Sequence, residues 1–152
     1  MFSSILERTD YIAHQIVKKL KDKEIAFIAM EDYFSGRQPG SVIMLAVLGT
    51  MVRLRLLENG YSFLAFAPTQ IKKYETGKGT APKDTMIKSV FKKHGLDTNS
   101  NNIADACAIA FVGKGYFDYV NKKRTDYTQY ELEVLKKVIK ERNITQPYKK
   151  EF

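Results

Sequence analysis

An α/β layer in which two parallel strands are joined by a helical crossover is the fold class this sequence predicts. Two short continuous apolar runs, Ile25 to Met30 and Tyr61 to Ala67, have strand length. The stretch between them, Ser41 to Asn59, is apolar around most of its circumference and reads as a helix, the connection that parallel strands require. The remaining chain alternates helical patterns with short polar turns.

Each element has its own signals. Ser3 or Ser4 can cap a first helix running to about Lys21, with Ile5, Ile12, Ile16 and Leu20 as an apolar stripe. A charged turn over 21–24 leads into the first strand, whose unbroken apolar character predicts burial on both faces. That strand stops at Glu31-Asp32, and 33–40 is a polar loop containing Pro and Gly. Gly60 closes the crossover helix, and Pro68 ends the second strand. A lysine-bearing connection over 70–80 precedes a helix opened by Thr80 and Pro82. That helix turns Met86, Ile87, Val90 and Phe91 inward and ends at Gly95. After a loop over 97–101, another helix carries Asn102 and Asp105 and runs to about Val112. A basic linker, Asn121 to Arg124, is followed by Thr128-Gln-Tyr-Glu131, a capping box that opens a last amphipathic helix with Leu132, Leu135, Val138 and Ile139. The tail from Gln146 is expected to fray. Two strands are too few for a stable open sheet, and no third is evident.

Composition bounds the function. A chain of 152 residues is one domain's worth, and 44% hydrophobic content with nine Phe and nine Tyr argues for a folded core. The single Cys107 forms neither a disulfide framework nor a zinc cage and reads as a small buried side chain. His14 and His94 have no companions at ligand spacing. No signal peptide and no membrane-length apolar run are evident, so a cytoplasmic protein is expected. The net charge of +8 is uneven: residues 1–60 hold eight Lys/Arg against seven acids, whereas 121–152 hold nine against five. Such asymmetry suits docking of a polyanion on one side.

Two acids stand out. Glu31 closes the first strand, where open α/β sheets place their sites. Asp105 rides a small-residue helix, with Asn102 three positions earlier on the same face. Two carboxylates meeting at a sheet edge with lysines nearby suit magnesium-assisted phosphodiester chemistry, because Mg2+ takes hard oxygen ligands. The Gly77-Lys-Gly-Thr80 segment lacks the order of a nucleotide-binding phosphate loop. It reads either as a flexible turn before a helix or as a turn whose backbone and Lys83 contact a phosphate.

Four segments carry a resemblance: Ala29-Met-Glu31-Asp-Tyr-Phe34, Pro68-Thr-Gln-Ile-Lys72-Lys73, Gly77-Lys-Gly79-Thr-Ala-Pro-Lys83 and Asn102-Ile-Ala-Asp105-Ala-Cys-Ala-Ile-Ala. In order and spacing, over roughly residues 4–113, they resemble RuvC-type Holliday junction resolvases, most of all the compact, phage-encoded branch. The resemblance implies a ribonuclease H-like sheet flanked by helices, in a homodimer that cuts four-way DNA junctions with Mg2+ or Mn2+. It implies Glu31 and Asp105 as metal ligands, with Asn102 where many members carry an acid or a histidine. It places Lys72 and Lys83 near the scissile phosphate and Phe34, assisted by Tyr33, on a junction base; Lys73 and Lys78 join Lys83 on the DNA. The dimer contact would be the Ser41 to Asn59 helix. The family's first catalytic Asp sits on an N-terminal strand ahead of two more strands, and this chain begins at the helix that follows. The expectation is therefore a RuvC-like core over 1–120, lacking its first three strands, with linker, extra helix and tail over 121–152. Such a chain would cut poorly, and its first strand would have an open edge. The rival expectation is a junction-binding remnant without cleavage.

Overall fold

The computed structural model describes residues 4–33, 39–141 and 144–145. The chain divides into two compact units. One holds Met1–Ile28, Tyr33–Leu64 and Ile144–Phe152, and the other holds Ala29–Asp32 and Ala65–Asn143.

In the first unit, α1 (Ile5–Leu20) packs along α2 (Pro39–Glu58). Ser4 caps α1, its Oγ accepting the Glu7 N–H at 3.2 Å. The helix buries Thr9 and Ala13, whose small side chains allow a neighbour to approach closely. Thr9 can afford burial because its hydroxyl donates back to the Ile5 and Leu6 carbonyls. The expected stripe is corrected accordingly: Ile5 and Ile16 are 40% and 37% exposed and flank the buried face. Arg55 of α2 ties the pair together, donating from Nε and Nη2 to Asp10 Oδ1 at 2.9 and 2.6 Å. Helix α2 begins two residues earlier than expected, at Pro39, and Gly60 at φ +81° ends the segment in the left-handed conformation glycine tolerates.

Strand β1 (Ile28–Glu31) lies beside β2 (Phe63–Phe66), and the Ile28 and Asp32 N–H groups donate to the Ser62 and Phe66 carbonyls, both at 2.9 Å. Donors and acceptors advance together by four residues, which is a parallel ladder. A third strand that the sequence reading missed, β3 (Ile144–Thr145), pairs antiparallel with β2, so the order is β1-β2-β3. Among the described residues β1 thus has one strand neighbour, β2. It is half-buried rather than covered on both faces, while β2, flanked on both sides, buries Phe63, Leu64 and Phe66.

The second unit is built around α3 (Pro68–Thr76), α4 (Lys83–His94), α5 (Asn101–Val120) and α6 (Gln129–Glu141). The connection expected over 70–80 is helix α3. Pro68 does end β2, but it does so as a first-turn helix residue, where a missing N–H costs nothing. The Gln70 side chain then accepts the Ala67 N–H at 2.8 Å. Helix α4 buries Met86 and Val90 as expected, whereas Phe91 is 55% exposed. Helix α5 runs eight residues past Val112, straight through Gly113 and Gly115, both buried. The capping box of α6 is present: Thr128 N–H donates to Glu131 at 2.9 Å, and Thr128 Oγ1 accepts the Glu131 N–H at 3.4 Å. Val134, Leu135 and Val138 of α6 complete the core.

Candidate active site

Parallel pairing of β1 with β2 delivers Glu31 to the carboxyl end of its strand, in the second unit. Its carboxyl is pushed above the ordinary 4.5, first by burial and then by the negative charge of Asp105, while Lys72 pulls it back. These three groups therefore share one electrostatic neighbourhood, although they stand far apart in sequence. Asp105 sits on the exposed face of α5, and Ala104 and Ala108 on the opposite face are fully buried. Ser100 caps α5 by accepting the Ile103 N–H at 3.4 Å, which places Asp105 near the end of the helix whose dipole favours an anion. Asn102, also exposed, lies one turn nearer that end.

Lys72 stands half-buried on α3. Lys83 opens α4 and is exposed, as is Lys78 in the turn between α3 and α4. That turn has two glycine requirements. Gly77 takes φ +83° as the C-cap of α3, and a Cβ on Gly79 would meet the Thr69 carbonyl oxygen at 3.1 Å. Lys73, expected on DNA, donates to Glu133 of α6 at 2.5 Å. Tyr33 belongs to the first unit and is half-exposed. Its hydroxyl lies 2.8 Å from Thr50 Oγ1, and the Arg53 guanidinium stacks 3.9 Å above its ring. Phe34 lies outside the described residues.

Sequence reasoning missed a buried polar cluster next to this site. Glu75 of α3 is 1% exposed and accepts from Ser89 Oγ at 2.8 Å, and His94 Nε2 lies 3.0 Å from its other oxygen. His94 in turn stacks on Phe111 of α5 at 3.5 Å between ring centres. Nothing in the spacing of Glu75, Ser89 and His94 marks them as partners. They tie α3, α4 and α5 together. Cys107 is half-buried rather than buried, and its thiol is pushed up by burial and by Glu75.

Among the described residues no three His, Cys, Asp or Glu side chains converge as a metal cage. The donor set is two carboxylates, with an amide one helical turn away. This suits Mg2+, which is held through one or two carboxylates and completes its shell with water and phosphate oxygens. It does not suit zinc, which wants a fuller nitrogen and sulfur set. The residues present therefore fit a hard divalent cation.

Comparison with known proteins shows the family. A family model described as crossover junction endodeoxyribonuclease RuvC matches residues 3–113. The crossover junction endodeoxyribonuclease RuvC of Wolinella succinogenes is 34% identical over 115 residues, covering 70% of each chain. That of Synechococcus sp. strain CC9311 is 28% identical over 109 residues, covering 70% of this chain and 68% of its own. The structure of Thermus thermophilus RuvC superposes with a TM-score of 0.62 at 25% identity, over 74% of this chain and 71% of that one. T. thermophilus RuvC in complex with Holliday junction substrate gives the same TM-score at 26% identity, over 71% and 67%. The end of α5, the basic turn and α6 lie beyond the family match.

Proposed function

Because this chain belongs to the RuvC family, with its ribonuclease H-like α/β fold, we propose that it is a structure-selective endodeoxyribonuclease cleaving Holliday junctions or related branched DNA by metal-assisted phosphodiester hydrolysis. The observation that carries this reading is the setting of Glu31, whose carboxyl is raised first by burial and then by the charge of Asp105, and lowered by Lys72.

Glu31 and Asp105 hold a divalent cation, Mg2+ or Mn2+, and the Asn102 amide oxygen adds a neutral donor. When bound, the cation lowers the pKa of a ligated water and offsets charge on the phosphodiester. Lys72 stands beside the carboxylates and stabilises negative charge that builds on the non-bridging oxygens. Lys83 and Lys78 engage the DNA backbone from the turn before α4. Tyr33, its ring supported by Arg53, offers an aromatic face to unstacked bases, and the same role is proposed for Phe34, which lies outside the described residues. A proton on the raised Glu31 carboxyl competes with the metal, so binding strengthens as pH rises through that range.

A homodimer is part of this reading. Near its start helix α2 exposes Ile43, Met44 and Leu45 at 63%, 38% and 65%, an apolar segment that a second copy would cover. Among the described residues no helix is long and apolar enough to cross a membrane, and we place the protein in the cytoplasm with the DNA it processes. A domain division at about residue 120 stays part of the proposal, the RuvC-like core before it and the α6 addition after it. A binding-only remnant is the less favoured reading, because it leaves the Glu31–Asp105 pairing unexplained.

The test is cleavage of a synthetic four-way junction with Mg2+ by the unaltered chain, by Glu31→Gln and by Asp105→Asn. Either substitution should lower the rate at least about a hundredfold, in the range seen when a principal charge-stabilising group is removed. Undiminished cutting by both variants overturns the site.

A further inference from the structure

Helix α6 lies outside the stretch matched by the RuvC family model, yet it is docked firmly on the matched part. Val134, Leu135 and Val138 are 3% exposed or less. Its first turn is fixed by the buried Glu131, which also receives Arg124 Nη2 at 3.5 Å and has Lys93 Nζ at 3.9 Å. Its last residue, Glu141, accepts from Gln70 Nε2 of α3 at 3.0 Å. A helix held at both ends presents its outward side chains without further ordering cost. One of them, Glu133, accepts from Lys73 Nζ at 2.5 Å, with Gln129 Nε2 on its other oxygen at 3.4 Å. The ammonium holds the Glu133 carboxyl below the usual carboxylate range, so it is ionised at neutral pH. Lys73 directly follows Lys72 on α3, and the reading above assigns Lys72 to the phosphodiester.

We infer that Glu133 is an affinity-setting residue: the added helix α6 brings a carboxylate that occupies Lys73 in place of a DNA phosphate. The inference rests on the DNA-cleaving reading above and adds that one lysine of its binding surface is masked from within. An exposed ion pair is weak, so Lys73 is withheld rather than abolished, and removal of Glu133 should release it. A released lysine that reaches a phosphate adds one counterion-release contact, worth about 0.9 in the slope of log affinity against log salt.

The experiment measures binding of a fluorescent four-way junction without divalent cation over a salt series, for the unaltered chain, Glu133→Gln, Lys73→Gln and the double variant. Both side chains are part-exposed, so circular dichroism should show an unchanged fold. At roughly 50 mM salt, Glu133→Gln should tighten binding about two- to fivefold, the weight of one exposed ion pair, and steepen the slope by about 0.9. Lys73→Gln leaves the Glu133 carboxylate unpaired and should bind no more tightly than the unaltered chain, whereas the double variant, with the net charge of the intact pair, should bind like the unaltered chain. Glu133→Lys provides a second check and should tighten binding further. A gain that persists undiminished without Lys73 overturns the inference, since it would be diffuse charge removal. So does a gain in Lys73→Gln alone, or no gain in Glu133→Gln. If no variant binds junction at all, the DNA-acting reading falls too, an outcome distinct from normal binding without the Glu133 effect.

Discussion

The hydroxyl of Tyr74 occupies the space that a side chain on residue 115 would need. A Cβ built on Gly115 would lie 1.9 Å from that oxygen and 2.7 Å from Cζ. Tyr74 is on α3 and Gly115 on α5, so a missing side chain on one helix seats an aromatic from the other. These are the helices that carry Lys72 and Asp105. The same glycine offers its carbonyl to the Tyr127 hydroxyl at 3.1 Å. Burial pushes the Tyr74 hydroxyl far above its ordinary range and keeps it neutral.

Gly115→Ala should therefore destabilise the fold although alanine is the better helix former. The clash meets a ring that is 4% exposed and has little room to retreat. Overpacking of this kind costs about 1–3 kcal/mol, more than the roughly 1 kcal/mol gained in helix propensity. Urea unfolding of the variant against the unaltered chain measures it. A midpoint that rises would show that Tyr74 moves aside freely.

Gln70 is a second joint. Its buried amide accepts from Ala67 N–H and donates to Glu141, so Gln70→Ala leaves a backbone donor at the start of α3 without its partner. The expected cost is about 1–3 kcal/mol in a urea midpoint. Glu141→Gln keeps an acceptor for Gln70 and should stay within about 0.5 kcal/mol of the unaltered chain.

Glu31 sets a pH dependence with a definite sign. Its folded-state pKa is raised, so folding binds its proton more tightly than the unfolded chain does. The associated stabilisation is fully present below 4.5, its ordinary value, and is lost as pH rises through the raised folded value. Glu31→Gln should thus raise the melting temperature at pH 7 without divalent cation, by on the order of 1–2 °C after allowing for partial solvent exposure. The gain should vanish near pH 4. Melting curves across that range, in chelator, decide it.

Divalent cation should reverse the balance. Millimolar Mg2+ or Mn2+ should raise the melting temperature of the unaltered chain, since a ligand bound only by the folded state stabilises it. The rise should be absent in the variant carrying Glu31→Gln with Asp105→Asn. An equal rise in both proteins would place the cation elsewhere.

Much of the local structure was written in the chain. Ser4, Gly60, Gly95 and the Thr128–Glu131 box mark helix ends through side-chain and backbone chemistry that acts within four residues. The two strands and the Glu31 and Asp105 positions were legible for the same reason, each announced by its immediate neighbours. Helix α3 was not. Pro68 stops a strand and starts a helix equally well, and Lys72 and Lys73 make the segment look like solvated loop until α6 covers its other face. The length of α5 was hidden by Gly113 and Gly115, which signal a helix end in isolation, and Gly115 becomes an asset only when Tyr74 is packed against it. Strand β3, two residues long, exists only by pairing with β2.

By itself, then, the sequence determined the order of elements, the acids at their ends and the kinship those motifs express, because all of these reside in short-range pattern. Which charges meet was decided by the tertiary structure alone. Glu31 feels Asp105 and Lys72, Lys73 falls to Glu133, and Glu75 is buried against Ser89 and His94. Electrostatic partnership depends on distance and desolvation, and neither is a property of separation along the chain.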